Sequence, residues 1–200
     1  MVSYSQFDYS KYLKREEDFK LGSKTREMIL KAARKAFSAH SYADVSMEDI
    51  AALAKVRKSL IYYYFPSKED LFKEAWDEAF HELEDRVFGI SEEDGKYMKK
   101  VKRFLRSYID FLRNDRQSLR LIEREKTRFY SEKSQNWQHI KNKYDVFVQK
   151  VAGVISSETG KPAAEYARAL TDIVGSSALL PEGQMSPDTI ELIITKSIEH

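Results

Sequence analysis

The amino-acid sequence predicts an all-α protein. Only 7 glycines and 4 prolines occur among 200 residues, and this scarcity of turn residues favours long helices over a sheet-rich fold. Apolar residues recur three and four positions apart in successive segments, the spacing that gives a helix one buried face. Ser46 and Ser67 each precede an aspartate by three residues, a capping-box arrangement that marks a helix start.

The composition excludes several classes of function. Hydrophobic residues make up 42% and charged residues 33% of the chain, as in ordinary folded proteins. The chain has no cysteine, which excludes disulfides, thiolate catalysis and zinc sites of the cysteine type. No stretch approaches the roughly 18 apolar residues that span a bilayer. We therefore expect a soluble, cytoplasmic protein.

The first predicted helix runs from Thr25 to about His40, because the apolar residues from Ile29 to Phe37 fall on one stripe. Residues 1–22 show no sustained hydrophobic period until KYLKREEDFK, residues 11–20, which is compatible with a turn or two of helix. We expect them to form an N-terminal extension, disordered or acting as a basic arm.

Two short helices follow. The second begins at Ser46, and the third covers about residues 57–64 and stops at Pro66, since proline lacks the N–H that a helix interior needs. Only Lys55 and Val56 connect them. Two short helices joined by a tight turn and braced by helices on both sides indicate a helix-turn-helix within a three-helix domain, residues 23–66.

The remaining chain, residues 67–200, reads as a six-helix domain. Its first helix starts at Ser67 and serves as the connector to the helix-turn-helix. Pro162 stands at the tolerated first-turn position of the eighth predicted helix. The spacing of apolar residues places the later helices at about 98–112, 114–128, 137–155, 162–178 and 189–200.

Positive charge is concentrated around the helix-turn-helix. Residues 24–68 hold nine basic and four acidic side chains, a net charge of +5, whereas the rest of the chain carries −3. Such asymmetry suggests that this end of the protein meets a polyanion.

The stretch KVRKSLIYYYFPSK, residues 55–68, has the side chains that DNA recognition requires. Basic groups at the start of a groove-reading helix favour phosphates, and short side chains one turn later can approach base edges. Three consecutive tyrosines span about 200° of helix, so they cannot all be buried. The candidate contacts are Lys55, Arg57, Lys58, Ser59, Leu60, Tyr62, Tyr63, Tyr64 and Lys68.

The run TREMILKAARKAFSAHSYADV, followed by SMEDIAALAKVRKSLIYYYFPSKEDLF, resembles the DNA-binding domain of the TetR family of transcriptional regulators. The resemblance implies a homodimeric regulator that binds a palindromic operator and is usually released by an effector, hence a repressor. It also implies an N-terminal helix-turn-helix domain and a C-terminal six-helix ligand-binding and dimerisation domain. Carried over by position, the family's DNA contacts fall on Lys58, Ser59, Leu60, Tyr62, Tyr63, Tyr64 and Lys68, which are among the candidates above. The resemblance adds Lys24, Thr25, Ser46, Met47 and Glu48.

Three residues depart from the family pattern. Ser41 and Lys55 occupy positions where the family usually has glycine, which suits a left-handed backbone conformation. Arg57 stands where members tend to have a serine or threonine cap, and arginine has no acceptor atom for that role. We expect Lys55 and Arg57 to lie beside DNA.

Large aromatic side chains on the C-terminal helices are candidates for an effector pocket. They favour a hydrophobic ligand, and they are equally compatible with an ordinary core. These residues are Trp76, Phe80, Phe104, Tyr108, Phe111, Trp137, Tyr144 and Phe147.

The eighth and ninth predicted helices are candidates for the homodimer interface. The eighth alternates bulky residues with Ala167, Ala169, Gly175 and Ser176, and small residues let helices approach closely. The same faces are also compatible with packing inside one subunit.

No enzymatic motif accompanies these features. The four histidines are scattered without metal-ligand spacing, and the chain has no phosphate-binding glycine loop and no GxSxG sequence. We expect no catalytic residues, metal or cofactor. The alternative is a ligand carrier or pocket enzyme with a vestigial helix-turn-helix.

Overall fold

The computed structural model describes residues 9–89, 100–160, 162–181 and 184–198. Within these ranges the chain is all-helical and has no strand, which confirms the predicted fold class. The helices are α1 Tyr9–Ala39, α2 Met47–Ala54, α3 Lys58–Tyr64, α4 Lys68–Phe88, α5 Lys100–Asn114, α6 Arg116–Arg124, α7 Lys126–Ser131, α8 Gln135–Thr159, α9 Ala164–Ser177 and α10 Pro187–Ile198.

Helix α1 is longer than predicted. It begins at Tyr9 instead of Thr25, so the backbone of residues 9–22 is helical and not a disordered extension. This segment has no proline and is rich in Lys, Arg, Glu and Leu, residues with good helix propensity that need no apolar stripe to favour a helix. Residues 1–8 of the predicted extension lie outside the described ranges.

Helices α2 and α3 form where predicted. The Ser46 hydroxyl accepts a hydrogen bond from the Asp49 N–H at 3.1 Å, and the Asp49 carboxylate accepts one from the Ser46 N–H at 2.9 Å. This reciprocal capping box begins α2. Ile50 on α2, Ile61 on α3 and Phe65 after α3 are fully buried, and they anchor both short helices in the hydrophobic core.

Two later predictions need correction. The predicted sixth helix is divided into α6 and α7 at Glu125, whose backbone leaves the helical conformation (φ −102°, ψ 18°). Pro162 does not lie in the first turn of its helix, since α9 begins at Ala164.

A continuous aromatic core connects the helix-turn-helix to the C-terminal helices. The Tyr42 ring, in the loop after α1, lies 5.2 Å from Phe72 and 5.3 Å from Trp137 between ring centroids, in edge-to-face contacts. Phe129 continues the chain of rings from Trp137 towards Trp76. The two predicted domains therefore share one hydrophobic core.

Glu125 joins the two parts of the molecule at the α6–α7 corner. Glu125 is 6% exposed, and its Oε1 accepts a hydrogen bond of 2.7 Å from the Tyr42 backbone N–H. Its Oε2 accepts a bond of 3.0 Å from Arg128 Nε. The loop that leads from α1 into α2 is thus held by a charge-assisted hydrogen bond to the C-terminal helices.

We predict that Glu125→Ala lowers the free energy of unfolding by about 2 to 3 kcal/mol, because the part-buried Tyr42 N–H loses its acceptor and the Arg128 guanidinium loses one of its two carboxylate partners. Urea denaturation followed by circular dichroism measures this change. The matched control is Glu132→Ala, since Glu132 binds Arg128 Nη1 at 3.0 Å but its side chain is 44% exposed. The control should cost less than about 1 kcal/mol, and equal losses in the two variants would contradict the role assigned to Glu125.

Candidate nucleic-acid interface and effector cluster

The face of α3 presents polar and aromatic side chains to solvent. Arg57, Lys58 and Ser59 are exposed, and Tyr62 and Tyr63 are 44% and 78% exposed. An exposed tyrosine pair on a seven-residue helix is unusual, because aromatic side chains are normally buried. The geometry therefore leaves these groups available to a partner.

Lys55 adopts the left-handed conformation that the sequence predicted for this position. Its backbone angles are φ 55° and ψ 40°. Among the described residues, no other non-glycine residue has a positive φ. The Lys55 N–H donates to Ala52 O at 3.2 Å and the Val56 N–H to Ala51 O at 3.0 Å. This pair of bonds is a Schellman motif, which normally uses glycine.

Ser41 does not follow the same prediction, since its φ is not in the left-handed region. Its Oγ donates to Asp44 Oδ2 at 2.5 Å, and its carbonyl accepts from the N–H groups of Asp44 and Val45. The loop after α1 closes through these bonds, so it does not need a left-handed residue at position 41.

Arg57 begins α3 without a side-chain cap, as expected from its lack of an acceptor. Beside it, the Lys58 ammonium forms an ion pair with Glu48 on α2 and lies 5.7 Å from the centre of the Tyr62 ring. This hydrogen bond raises the pKa of Lys58 and lowers that of Glu48. Two predicted contact residues are therefore paired with each other on the exposed surface.

Several other predicted contacts are placed differently. Met47 is 4% exposed and belongs to the core, so it does not face a partner; its position one residue after the cap points it inward with Ile50. The Ser46 hydroxyl serves the α2 cap. Lys24 and Thr25 lie in the middle of α1, so no helix N-terminus is present there to bind phosphate.

Tyr64 and Lys68 are partly buried and do not belong to the exposed face of α3. Tyr64 is partly buried against the core, and its hydroxyl lies 3.5 Å from the Cβ position of Gly22 on α1. Lys68 Nζ lies 4.4 Å from the centre of the Tyr42 ring, and burial together with nearby Arg128 lowers its pKa. Leu60 is half-buried.

The basic count over residues 24–68 overstates the charge on this face. Arg26 forms an ion pair with Glu74, and Arg34 forms a bidentate pair with Glu82 at 2.7 and 2.5 Å. Both acids lie on α4. These two arginines therefore attach α1 to α4. Lys24, Lys55, Arg57 and Lys58 are exposed, and of these Lys58 is paired with Glu48.

The eight predicted pocket residues are all buried, with exposures of 4% or less. Trp76 stacks on Phe80 with a centroid distance of 4.4 Å, and Phe147 contacts Phe80 at 5.5 Å. Phe104 contacts Tyr108 at 5.8 Å. Phe111 lies apart, since it lines an open groove with Glu82, Asp85 and Arg86.

A buried polar cluster lies among these rings. It consists of the buried residues Tyr108, Glu123 and Tyr144, of Lys126, and of Asp172, whose side chain is 50% exposed. Lys126 Nζ donates to Glu123 Oε2 at 2.8 Å and to Asp172 Oδ1 at 2.7 Å, and it lies 4.2 Å from the centre of the Tyr144 ring. Burial raises the pKa of Glu123 to about 7, and the neighbouring carboxylates raise the pKa of Lys126 against the opposing effect of burial.

Three atoms of this cluster lack a hydrogen-bond partner within the described part of the chain. They are Glu123 Oε1 and the hydroxyls of Tyr108 and Tyr144; the last lies near Lys126 and Thr171 without a bond of good geometry. An unpaired buried polar group costs about 1 to 3 kcal/mol. Sequence patterns did not reveal Glu123 or Lys126, because an acid and a base three residues apart on a helix usually face solvent.

Known proteins resemble this chain in both sequence and structure. The family model described as bacterial regulatory proteins of the tetR family matches residues 29–75. The uncharacterized transcriptional regulator YhgD of Bacillus subtilis is 28% identical over 98 residues, which covers 49% of this chain and 51% of that protein. The transcriptional repressor NicS of Pseudomonas putida is 51% identical over 49 residues, covering 24% of this chain and 23% of that one.

A similar solved structure is AibR in complex with isovaleryl coenzyme A and operator DNA. It has a TM-score of 0.74 and 16% sequence identity, and the match covers 86% of this chain and 97% of AibR. The resemblance to the TetR family is confirmed over residues 29–75, which match the family's N-terminal domain model, and the described chain shares its fold with AibR. The matched curated relatives are named as regulators, not enzymes, and they are matched over about half of their length or less.

Among the described residues, no helix is long and apolar enough to cross a membrane, and no group of three or more His, Asp or Glu side chains is arranged to hold a metal ion.

We predict that Lys55→Gly raises the free energy of unfolding by about 1 kcal/mol, because glycine adopts the left-handed conformation without the steric cost that lysine carries. The matched control is Lys55→Ala, which removes the same charge but keeps the Cβ atom and the strain. The control should leave stability nearly unchanged in urea denaturation. An equal gain in both variants would attribute the effect to charge instead of backbone strain.

Proposed function

We propose, from the TetR-family domain of residues 29–75, that this protein is a sequence-specific DNA-binding transcriptional regulator. The observation that carries the proposal is the exposed face of α3, the second helix of the helix-turn-helix, which presents Lys58, Tyr62 and Tyr63 to solvent. Such a helix lies in the major groove while neighbouring groups contact phosphates.

The exposed side chains suggest a division of labour on DNA. Lys24, Lys55 and Arg57 are cations suited to phosphates, which set position and not sequence. Ser59 and Tyr63 project from α3 and are suited to base edges and groove walls. Lys58 contacts DNA when a phosphate replaces Glu48 as the partner of its ammonium group. Tyr62 lies beside Lys58.

We propose further that the regulator is a homodimer, because one helix-turn-helix reads only a half-site of a palindromic operator. The exposed stripes on α9 and α10 support an interface there. Ile173 on α9 and Leu192 on α10 are 41% and 56% exposed, and the α9 stripe also carries the small residues Ala169 and Ser176. Apolar residues flanked by small ones suit close helix packing across a twofold axis.

A hydrophobic effector that releases the operator completes the proposal and makes the protein a cytoplasmic repressor. The aromatic core of the C-terminal helices supports an apolar ligand. The isovaleryl coenzyme A of AibR and the repressor name of NicS are consistent with both features. The proposed division is a helix-turn-helix over 23–66 and an effector and dimerisation domain over 67–200.

We predict that the protein protects a palindrome in the DNA upstream of its own gene in footprinting, and that Tyr63→Phe weakens this binding about tenfold by removing one hydroxyl hydrogen bond to the charged backbone. Tyr130→Phe is the matched control, since Tyr130 is 51% exposed on α7, away from α3.

Affinity of the native protein for this DNA should also fall about a thousandfold between roughly 50 and 200 mM salt. A flat salt response, or the absence of protected DNA, would contradict the proposal.

For the dimer, we predict that Ile173→Glu or Leu192→Glu weakens association at least about a hundredfold, because twofold symmetry buries two unpaired charges. Sedimentation velocity measures the monomer fraction. Val146→Glu introduces the same charge at a 48% exposed position on α8 and should remain dimeric. If only the Val146 variant dissociated, the interface would lie on α8 instead.

A further inference from the structure

The buried polar cluster has the charge of a cation-binding site. When ionised, Glu123 and Asp172 supply two negative charges and Lys126 supplies one positive charge, so the cluster is net negative. Glu123 Oε1 and the Tyr108 hydroxyl are buried and unpartnered, and both can accept a hydrogen bond. The chemistry that the cluster lacks is therefore a positively charged hydrogen-bond donor.

The surroundings of the cluster are aromatic. Tyr144 contacts Phe80, Phe129 and Phe147 at 6.4 Å between ring centroids, and Tyr108 contacts Phe147 at 6.0 Å. The faces of such rings attract cations, as the position of Lys126 over Tyr144 demonstrates. An apolar ligand body carrying one cationic group matches these surroundings.

Gly175 on α9 lets the Glu123 carboxyl approach closely. A Cβ atom at position 175 would overlap Glu123 Cδ, so any other residue would displace the carboxylate. Glu123 itself is 4% exposed. The carboxylate is therefore held in one place by packing from α9 and by the ion pair with Lys126, which is the preorganisation that a recognition site needs.

We propose that Glu123, Tyr108 and Tyr144 recognise the protonated amine of an effector whose remaining body is aromatic or aliphatic. This inference rests on the proposed function, since it names the effector class of the C-terminal helices. Glu123 lies two residues from Glu125, which holds the Tyr42 N–H of the helix-turn-helix. A ligand bound at Glu123 therefore acts on the same α6–α7 corner that positions α2 and α3.

The test compares three probes of equal length on the full chain without DNA: 4-phenylbutylamine, 4-phenylbutan-1-ol and 4-phenylbutanoate. Titration calorimetry measures affinity at about pH 8, where an alkylammonium stays protonated. The fluorescence of Trp76 and Trp137, both buried in the aromatic core, gives a second readout. The amine should bind at least about tenfold more tightly than the alcohol, and the carboxylate most weakly.

Glu123→Gln should remove the preference for the amine over the alcohol while leaving alcohol affinity nearly unchanged. Glu132→Gln, which neutralises an exposed carboxylate on the same domain, should keep the preference. Tyr108→Phe retains the ring and should reduce the preference, so it serves if Glu123→Gln melts at a much lower temperature than the native protein.

Three results would overturn the inference: equal or tighter binding of the carboxylate, an unchanged preference in Glu123→Gln and Tyr108→Phe, or no binding of any probe. Footprinting of the native protein on DNA separates this failure from failure of the proposed function. Protected DNA without amine binding rejects the ligand class alone, whereas amine binding without protected DNA rejects the regulator.

Discussion

The hydrogen bond between the Glu125 carboxylate and the Tyr42 backbone N–H is the contact on which the relation between the two ends of the molecule depends. It joins residues 83 positions apart in sequence at a distance of 2.7 Å. Around it, Arg128 and Lys68 lie over the Tyr42 ring, and Phe72 and Trp137 surround that ring from the core. A charge-assisted bond shielded from water by aromatic rings holds a loop more firmly than packing alone.

The corner between α6 and α7 places this contact close to the proposed effector site. An unbroken helix would leave Glu123 and Glu125 about 200° apart on one cylinder. The structure likewise places them on opposite sides: Glu123 packs in the aromatic core beside Gly175, and Glu125, at the end of α6, faces the loop before α2. Two buried carboxylates thus connect the proposed effector site and the proposed DNA-reading helix through three residues of backbone. A displacement of one carboxylate is therefore expected to move the backbone that carries the other.

The reading face itself combines a strained backbone with exposed charge. Lys55 places a cation where glycine would fold more easily, and Arg57 begins α3 without the usual cap. Both choices cost local stability, which the buried side chains of Ile50, Ile61 and Phe65 offset by fixing the two short helices. Functional residues commonly tolerate such local strain when the surrounding structure determines their position.

Local information in the sequence determined the all-α class, the helix-turn-helix and the Ser46 cap, because periodicity and capping act within a few residues. The left-handed backbone at Lys55 is expected from the family resemblance, since glycine is usual at that position. The tertiary structure alone decided that Arg26 and Arg34 bind α4. It also decided that Glu123 and Glu125 are buried on different sides of one corner. These outcomes depend on partners about 50 to 80 residues away, and only packing of the whole chain brings such partners together.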